Sequence, residues 1–313
     1  EYITENTVWD NTRPYVILEG VLVAENTILT ITQGARIYLH ANAPFIVDGT
    51  IIAEGTKADS IIFQGDRLEE DYRDLPASWP GMYFTNKSEG NIFQHVIIKN
   101  AYQGIVSEGN ARPFPKIALK QCMIDNIYDI GLVGYNTSFL VENSLISNCG
   151  LNVLLTSGGD YQFVHNTMVS YSNIYIPHKK PVIAVSNWDS VYNLNTYDMN
   201  VTLSNNIIWG SAGIVDDEIF ISKKGDKNFS AIIENNLYRA KNTIPDATLL
   251  NNLINTPPLF DSVNEASRYY DLRINKGNSP AINMGKNMFI PFDLEDNPRD
   301  DQPDIGCYEK KGS

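Results

Sequence analysis

The sequence predicts an all-β solenoid of stacked parallel strands, and two kinds of observation support this fold class. Isoleucine and asparagine are both abundant, with 35 Ile and 34 Asn against 22 Leu. Isoleucine suits the pleated surface of a strand, and so much asparagine indicates many turns or a repeated polar position. Short apolar runs recur along the chain, and none is long enough for a helix: 16–18, 37–39, 51–53, 61–63 and 96–98.

A repeated register sharpens this pattern. Segment 141–146 reads VENSLI and aligns with 164–169, 203–208 and 233–238. The unit length is 22 or 23 residues with insertions, which is typical of a solenoid whose coils stack about 4.8 Å apart. An asparagine between two strands tolerates the bend and can bond to its neighbours, so we expect an internal amide ladder. The aligned position is held by Asn143, Asn166, Asn205 and Asn235, and upstream by Gln121 and His95.

The repeat divides the chain into three segments. Residues 1–14 are expected to lead into the first coil and to cover its open apolar end. The body is expected over 15–240, where the unit length allows roughly nine or ten coils with insertions. Prolines concentrate beyond it and lack the amide hydrogen that strand pairing uses. We therefore expect 241–313 to form an irregular cap over the C-terminal end.

Several stretches resemble a known family. Residues 61–84, which read IIFQGDRLEEDYRDLPASWPGMYF, and the tail segments 279–285, 293–299 and 304–309 resemble β-helix proteins of Gram-negative bacterial surfaces, secreted or lipid-anchored. The tail is similar to the segment called a choice-of-anchor domain. This resemblance implies a right-handed parallel β-helix over nearly the whole chain. It also implies an extracytoplasmic location, secreted or at the outer-membrane surface, with a possible lipid anchor upstream of Glu1.

Composition narrows the classes of partner. The chain has 24 Lys plus Arg against 37 Asp plus Glu, a formal net charge of −13. Clustered cations that would neutralise nucleic-acid phosphates are therefore scarce, and we expect no nucleic acid.

No run approaches the roughly 18 apolar residues of a membrane span. The start at Glu1 without a hydrophobic leader is interpreted as a processed or cut chain. The three cysteines, Cys122, Cys149 and Cys307, are too few for a disulfide framework. A monomer is expected.

The motifs of polysaccharide-cleaving β-helix enzymes are not intact in the sequence. Asp216 and Asp217 are adjacent, as a hydrolase could use, but the Gly-His-Gly and Arg-Ile-Lys segments of polygalacturonases are absent. The Gly-x-x-Asp-Phe segment of pectin esterases is also absent. A lyase needs a base and a cation beside the uronate. Lys179 or Lys180 could be that base, although no carboxylate cluster adjoins them, and a lyase is the preferred class if the chain is an enzyme.

Metal and cofactor sites are not predicted. Asp293, Glu295, Asn297 and Asp304 fit four positions of a calcium loop, but Pro298 replaces the glycine that the bend of such a loop requires. The four histidines show no ligand spacing. We expect Asp293 or Asp296 to pair with Arg299 and fix the cap instead.

Three insertions are expected to project from the coils: 65–79, a stretch between Tyr171 and Asp198, and 210–228. The second has the largest excess over the coil unit and combines aromatic with basic residues, which together suit an acidic sugar. It is the predicted binding groove, with Trp188, Tyr192, Tyr197, His178, Lys179 and Lys180. A polysaccharide or cell-surface glycan is thus the expected partner, and the alternative is a structural or adhesive rod without a small ligand.

Overall fold

The computed structural model describes residues 1–109, 111–189, 195–211 and 214–311. In this part of the chain the regular structure is entirely β, and the strands of successive coils pair in parallel. They form a parallel β-helix with three faces, which confirms the predicted fold class. We call the faces sheet 1, sheet 2 and sheet 3, in the order in which the chain visits them in each coil.

Sheets 1 and 2 are joined, because β16 and β18 run through both and turn the corner without a break. Sheet 1 contains β1 (Tyr2–Ile3), β4 (Val21–Val23), β7 (Phe45–Val47), β10 (Met82–Phe84), β13 (Gln103–Glu108), the first halves of β16 (Ile130–Glu142) and β18 (Leu151–Val164), β20 (Ile183–Ser186) and β23 (Ile219–Ser222). Sheet 2 contains β2 (Thr7–Trp9), β5 (Ile28–Thr32), β8 (Thr50–Glu54), β11 (Asn91–Gln94), β14 (Ile117–Lys120), the second halves of β16 and β18, β21 (Met199–Ser204), β24 (Phe229–Glu234) and β26 (Thr248–Leu250).

Sheet 3 closes the third face. It contains β3 (Tyr15–Ile17), β6 (Arg36–Leu39), β9 (Ile61–Gly65), β12 (Val96–Lys99), β15 (Met123–Asp125), β17 (Leu145–Ser147), β19 (Thr167–Ser170), β22 (Ile207–Gly210), β25 (Leu237–Tyr238) and β27 (Leu253–Ile254). The described residues thus contain nine coils with a strand on every face and a tenth with strands on sheets 2 and 3 only. An antiparallel hairpin of β28 (Ser262–Asn264) and β29 (Tyr269–Asp271) follows.

The apolar triplets form strands because alternate side chains point inward. In β5, for example, Leu29 and Ile31 are buried while Ile28 faces out. The inward residues form one hydrophobic core from Ile3 to Ile244. Aromatic rings contact each other inside it, as where Phe45 meets Phe63 edge to face at 5.8 Å between ring centroids.

Both ends of the solenoid differ from the expected boundaries. Residues 1–14 contain β1 and β2, which pair with β4 and β5, so they belong to the first coil. At the other end β26 and β27 pair with β24 and β25, so the repeat continues to Ile254. The reason is visible in segment 249–254, LLNNLI, which repeats the strand, asparagine corner and strand pattern of 203–208.

The corner between sheets 2 and 3 carries two adjacent rows of polar residues. The predicted ladder combined residues from both rows. The outer row has left-handed backbone conformations, with φ from 46° at Asn143 to 58° at Asn205. His165, with φ 54°, holds this position in the seventh coil, because Leu145 pairs with Thr167. The placement of Asn166 beside Asn143 is therefore wrong by one residue. The outer row comprises His95, Gln121, Asn143, His165, Asn205, Asn235 and Asn251.

The coil-to-coil amide ladder lies one position later and is buried. Of the four residues predicted to form it, only Asn166 does so, and Asn143, Asn205 and Asn235 lie in the outer row instead. Asn166 Nδ2 donates to Asn206 Oδ1 at 3.0 Å, and Asn206 Nδ2 donates to Asn236 Oδ1 at 2.9 Å. Each amide oxygen also accepts the backbone N–H of the preceding ladder residue, as in the bond from Asn206 N to Asn236 Oδ1. Ser144 precedes Asn166 in this row and Asn252 ends it. These bonds satisfy polar groups that would otherwise be unpaired in the core.

The C-terminal segment lies along the side of the solenoid and not over its end as expected. The outer-row side chains hold it by donating to its backbone: Asn205 to Lys286 O at 2.7 Å and Asn143 to Phe292 O at 2.7 Å. Its apolar residues pack on outward side chains of sheet 3, for example Leu294 and Tyr308 in one cluster with Leu145. Sheet 3 presents apolar residues on both faces, and the tail buries its outer face from β17 to β25.

Candidate functional site

The predicted binding insertion is divided by a strand of sheet 1. Between β19 and β21 the chain first turns the corner from sheet 3, then forms β20, and then leaves sheet 1 in a second loop that contains Trp188 and Tyr197. Three of the predicted residues therefore precede the start of β20: His178, Lys179 and Lys180. Trp188 follows the end of the same strand. Trp188 lines a groove over sheet 1, and residues 195–198 line a second groove over sheet 2.

The groove over sheet 1, which we call the Trp188 groove, has a volume of 670 Å³. Its floor is an outward apolar row in which Leu154, Ala184 and Phe220 are paired in register across β18, β20 and β23. Phe220 is 54% exposed and Tyr135 is 37% exposed. A second row beside the floor carries hydroxyl groups, from Thr156, Ser186 and Ser222. The groove therefore combines apolar and aromatic surface with hydrogen-bonding groups.

Several hydrogen bonds fix Trp188 in this wall. Its Nε1 donates to Ser222 Oγ at 3.1 Å, and its carbonyl oxygen accepts from Thr156 Oγ1 at 2.8 Å. Lys224 Nζ lies 3.1 Å from the centroid of the indole ring, which is a cation–π contact. Asn187 exchanges two hydrogen bonds with the backbone of Lys224, at 2.8 and 2.9 Å. The loops after β20 and β23 are thus tied together, and the indole is held in place before any ligand arrives.

The groove over sheet 2, which we call the Arg112 groove, is polar and has a volume of 760 Å³. Arg112 Nη2 lies 3.1 Å from Asp160 Oδ2 in an ion pair. Tyr197 lines this groove, and its backbone N–H donates to Asn187 O at 2.9 Å. With Lys227 and Asp198, the described lining of this groove contains two cationic and two anionic side chains. Its charges balance, so it offers no net attraction to an ion.

The basic residues predicted to bind an acidic sugar do not line either groove, which corrects that expectation. His178 is buried, and its Nε2 lies 3.1 Å from Glu218 Oε1. Lys180 Nζ pairs with Asp129 Oδ1 at 3.3 Å. Lys179 is exposed to solvent. Tyr192 lies outside the described residues. Of the predicted residues that the structure describes, only Trp188 and Tyr197 line a groove, and they line different ones.

His178 belongs to a buried charged cluster that ties loops together. Glu218 is fully buried and accepts hydrogen bonds from His178 and from Arg239 Nη2. Arg239 Nη2 also donates to Ser211 O at 2.9 Å. A Cβ at Gly210 would lie 2.3 Å from His178 Nε2, so glycine is required there for the ring to fit. The cluster joins the coil corners before β20 and β23.

The residues that form a calcium-like pattern in the sequence fix the tail instead. Asp293 Oδ1 accepts the backbone N–H groups of Glu295 and Asn297, both at 2.8 Å. Arg299 Nη1 pairs with Glu309 Oε2 at 2.7 Å, so its predicted carboxylate partner, Asp293 or Asp296, is corrected to Glu309. Within the described chain, no group of three or more His, Cys, Asp and Glu side chains is placed to hold a metal ion.

Sequence reasoning missed the floor of the Trp188 groove. Its signal is present in β23, which reads IFIS with Ile219 and Ile221 buried and Phe220 exposed between them. Three consecutive apolar residues in a strand place one of them outward, and a large aromatic there indicates a contact surface. The described residues contain no helix long and apolar enough to cross a membrane.

No family model and no curated protein matches the chain. Among solved structures, the chain is similar to the crystal structure of pectate lyase Pel9A, with 12% sequence identity and a TM-score of 0.47. The alignment covers 99% of this chain and 84% of that chain. At this identity and score the likeness assigns neither an activity nor a residue to the present protein.

Proposed function

We propose that this protein binds a glycan in the Trp188 groove and that the glycan is uncharged. The observation that supports this most is the exposed aromatic Phe220 in the apolar row, beside Tyr135 and the fixed indole of Trp188. Aromatic faces present flat apolar surface, which packs against the C–H face of a sugar ring. In the neighbouring row, the hydroxyl oxygens of Thr156, Ser186 and Ser222 can accept from sugar hydroxyls. The Ser222 hydroxyl can also donate, whereas those of Thr156 and Ser186 already donate to Trp188 O.

The charge of the groove favours a neutral glycan over the acidic one predicted from the sequence. Glu108 and Asp189 line the Trp188 groove, and no lysine or arginine belongs to its described lining. The neighbouring Lys224 ammonium is already held on the indole ring of Trp188. A uronate would approach two carboxylates on a chain of net charge −13. A neutral sugar meets no such repulsion, and carboxylates are good acceptors for its hydroxyl groups.

The location of the protein is a separate proposal. We infer that it works outside the cytoplasm, secreted or held at the outer-membrane surface by a lipid anchor. Its support is the resemblance of 61–84 and of the tail to surface β-helix proteins. Protease treatment of intact cells that produce the protein should remove it from the cell-associated pool; full protection of the protein in intact cells would contradict the proposal.

A glycan array with the purified chain tests the binding proposal. Neutral glycans should retain the protein and uronate-containing glycans should not. Phe220→Ala should weaken retention about tenfold, because one aromatic contact contributes on the order of 1 kcal/mol. The thermal midpoint should stay near that of the unchanged protein, since Phe220 is 54% exposed. Phe289→Ala, at a phenylalanine of the tail that is 91% exposed, is the matched control and should bind normally.

Three results would contradict the binding proposal. Retention on acidic glycans alone would show that the charge argument is wrong. Equal retention of the two phenylalanine variants would place the ligand elsewhere. The absence of any retained glycan would favour the structural or adhesive rod. Product analysis of a retained glycan would detect cleavage, the outcome expected of a polysaccharide lyase.

A further inference from the structure

A smaller cavity lies at another corner of the solenoid, where the chain passes from sheet 3 to sheet 1. It has a volume of 280 Å³. Three separate parts of the chain build its wall: the solenoid corner, the first insertion with Asp74, and the hairpin β28–β29 with Arg268 and Tyr270. The first insertion and the hairpin are far apart in sequence, so the fold creates this cavity only when the tail is docked.

The solenoid side of the cavity is a rigid stack of asparagines. Asn100, Asn126 and Asn148 have left-handed backbone conformations with φ of 63°, 57° and 53°. Asn126 Nδ2 donates to Asn100 Oδ1 at 2.8 Å. Asn148 Nδ2 donates to Asp125 Oδ1 at 3.1 Å. These bonds fix the amide orientations, so the polar groups on this wall are held in place in advance of binding.

Two buried polar atoms of the wall have no hydrogen-bond partner among the described residues. One is Oδ1 of Asn148, a residue that is 6% exposed, and the other is the hydroxyl of Tyr270. The Tyr270 ring is itself fixed, since it stacks on Tyr171 with 5.5 Å between centroids and 13° between planes. Buried polar groups are nearly always paired, so an acceptor and a hydroxyl left unpaired in one wall point to a ligand that bonds to both.

The charges around the cavity select the kind of ligand. Lys99 and Arg268 are cationic, and Asp74 and Asp125 are anionic, so the described residues of the wall carry no net charge. The volume lies near the lower end of the range for small-molecule sites, about 300 to 1,000 Å³. We propose that this cavity binds one neutral polyhydroxy molecule of the size of a single sugar ring. The site is independent of the Trp188 groove.

Titration calorimetry with the full chain tests the proposal. The probes are glucose, galactose and mannose, with galacturonate and glucosamine as anionic and cationic counterparts. At least one neutral hexose should bind, and the charged probes should bind at least tenfold more weakly. Tyr270→Phe removes the hydroxyl and keeps the stacked ring, so it should reduce the affinity about tenfold without lowering the thermal midpoint. Tyr269→Phe, at the exposed neighbour in the same strand, should bind like the unchanged chain.

Some outcomes would overturn the inference. If none of the three neutral hexoses binds, or if Tyr270→Phe binds as well as Tyr269→Phe, the cavity is not the proposed site. Phe220→Ala separates this site from the Trp188 groove, because it should leave hexose binding unchanged. Loss of hexose binding in Phe220→Ala would assign the sugar to that groove and overturn the second site while supporting the first.

Discussion

Sheet 1 and sheet 3 both carry apolar residues on their outer faces, but among the described residues the tail packs over part of sheet 3 and not over sheet 1. On sheet 3, Ile207 and Leu237 are buried beneath Ile305 of the tail. On sheet 1, the outward row is buried at Val133, but from Leu154 to Phe220 no comparable segment of the described chain packs over it, and Phe220 is 54% exposed. Outward apolar residues therefore pack against the tail on sheet 3, whereas on sheet 1 they leave an exposed contact surface.

The two sheets differ in cover because the outer row of corner asparagines binds the tail next to sheet 3. Asn143 and Asn205 lie between sheets 2 and 3 and donate to the tail backbone, which directs the tail over sheet 3. The corner between sheets 1 and 2 has instead the long strands β16 and β18 and the loop with Trp188. An apolar outward row next to a docking corner is thus structural, whereas one next to projecting loops is available to a ligand.

The largest expected effect contrasts the same substitution on the two faces. Leu237→Ala on sheet 3 should lower the free energy of unfolding by about 2 to 5 kcal/mol, because it leaves a cavity under the tail. Leu154→Ala on sheet 1 should cost about 1 kcal/mol or less, since that side chain is only partly buried. Urea unfolding of both variants measures this. Equal losses would mean that the outer face of sheet 1 is packed as tightly as that of sheet 3.

The two sides also differ in their buried cations. On the tail side Arg299 is paired with Glu309. At the corner between sheets 1 and 2, Lys116 is 1% exposed, and its Nζ donates to Thr85 O at 2.6 Å and Glu108 O at 2.7 Å. Burial lowers the pKa of Lys116 to about 8 from 10.5. An arginine keeps its charge at any accessible pH, whereas this lysine can lose it.

Lys116 should therefore make the stability depend on pH. Between pH 8 and 10.5 the unfolded chain binds more protons at this lysine than the folded chain, so the free energy of unfolding rises with pH. The increase should reach up to about 3 kcal/mol. Urea unfolding across this range compares the unchanged chain with Lys116→Met, which has no such group. Parallel pH profiles for the two proteins would show that the ammonium is not destabilised by burial.

Much of the fold could be predicted, because the local sequence of each repeat determines where its strands and corners form. The apolar triplets became strands, and an asparagine corner recurs in coil after coil, since both are dictated by local sequence. Two rows of asparagine adjacent in sequence were harder to separate. Asn205 and Asn206 differ in role, but only the strand pairing shows that Asn166 shares the register of Asn206.

The candidate site was less predictable, since it depends on how coils stack. The excess of residues between Tyr171 and Asp198 suggested one loop, but a strand of sheet 1 occupies its middle and separates Lys180 from Trp188. The floor residues Leu154, Ala184 and Phe220 come from three coils and meet only through strand register. The position of the tail likewise depends on contacts between residues more than 100 positions apart.

The smallest expected effect concerns Lys180, which precedes β20, whereas Trp188 follows that strand. Its ion pair with Asp129 is largely exposed, with 53% of the lysine side chain accessible, so Lys180→Ala should change the free energy of unfolding by about 0.5 kcal/mol or less. Retention on neutral glycans should also be unchanged, because this lysine lines neither groove. Together with Lys179→Ala, the substitution separates the two interpretations of the same insertion. If the double variant no longer binds glycan but unfolds normally, the binding surface lies at the corner between sheets 3 and 1, and the ligand is the acidic sugar predicted from the sequence.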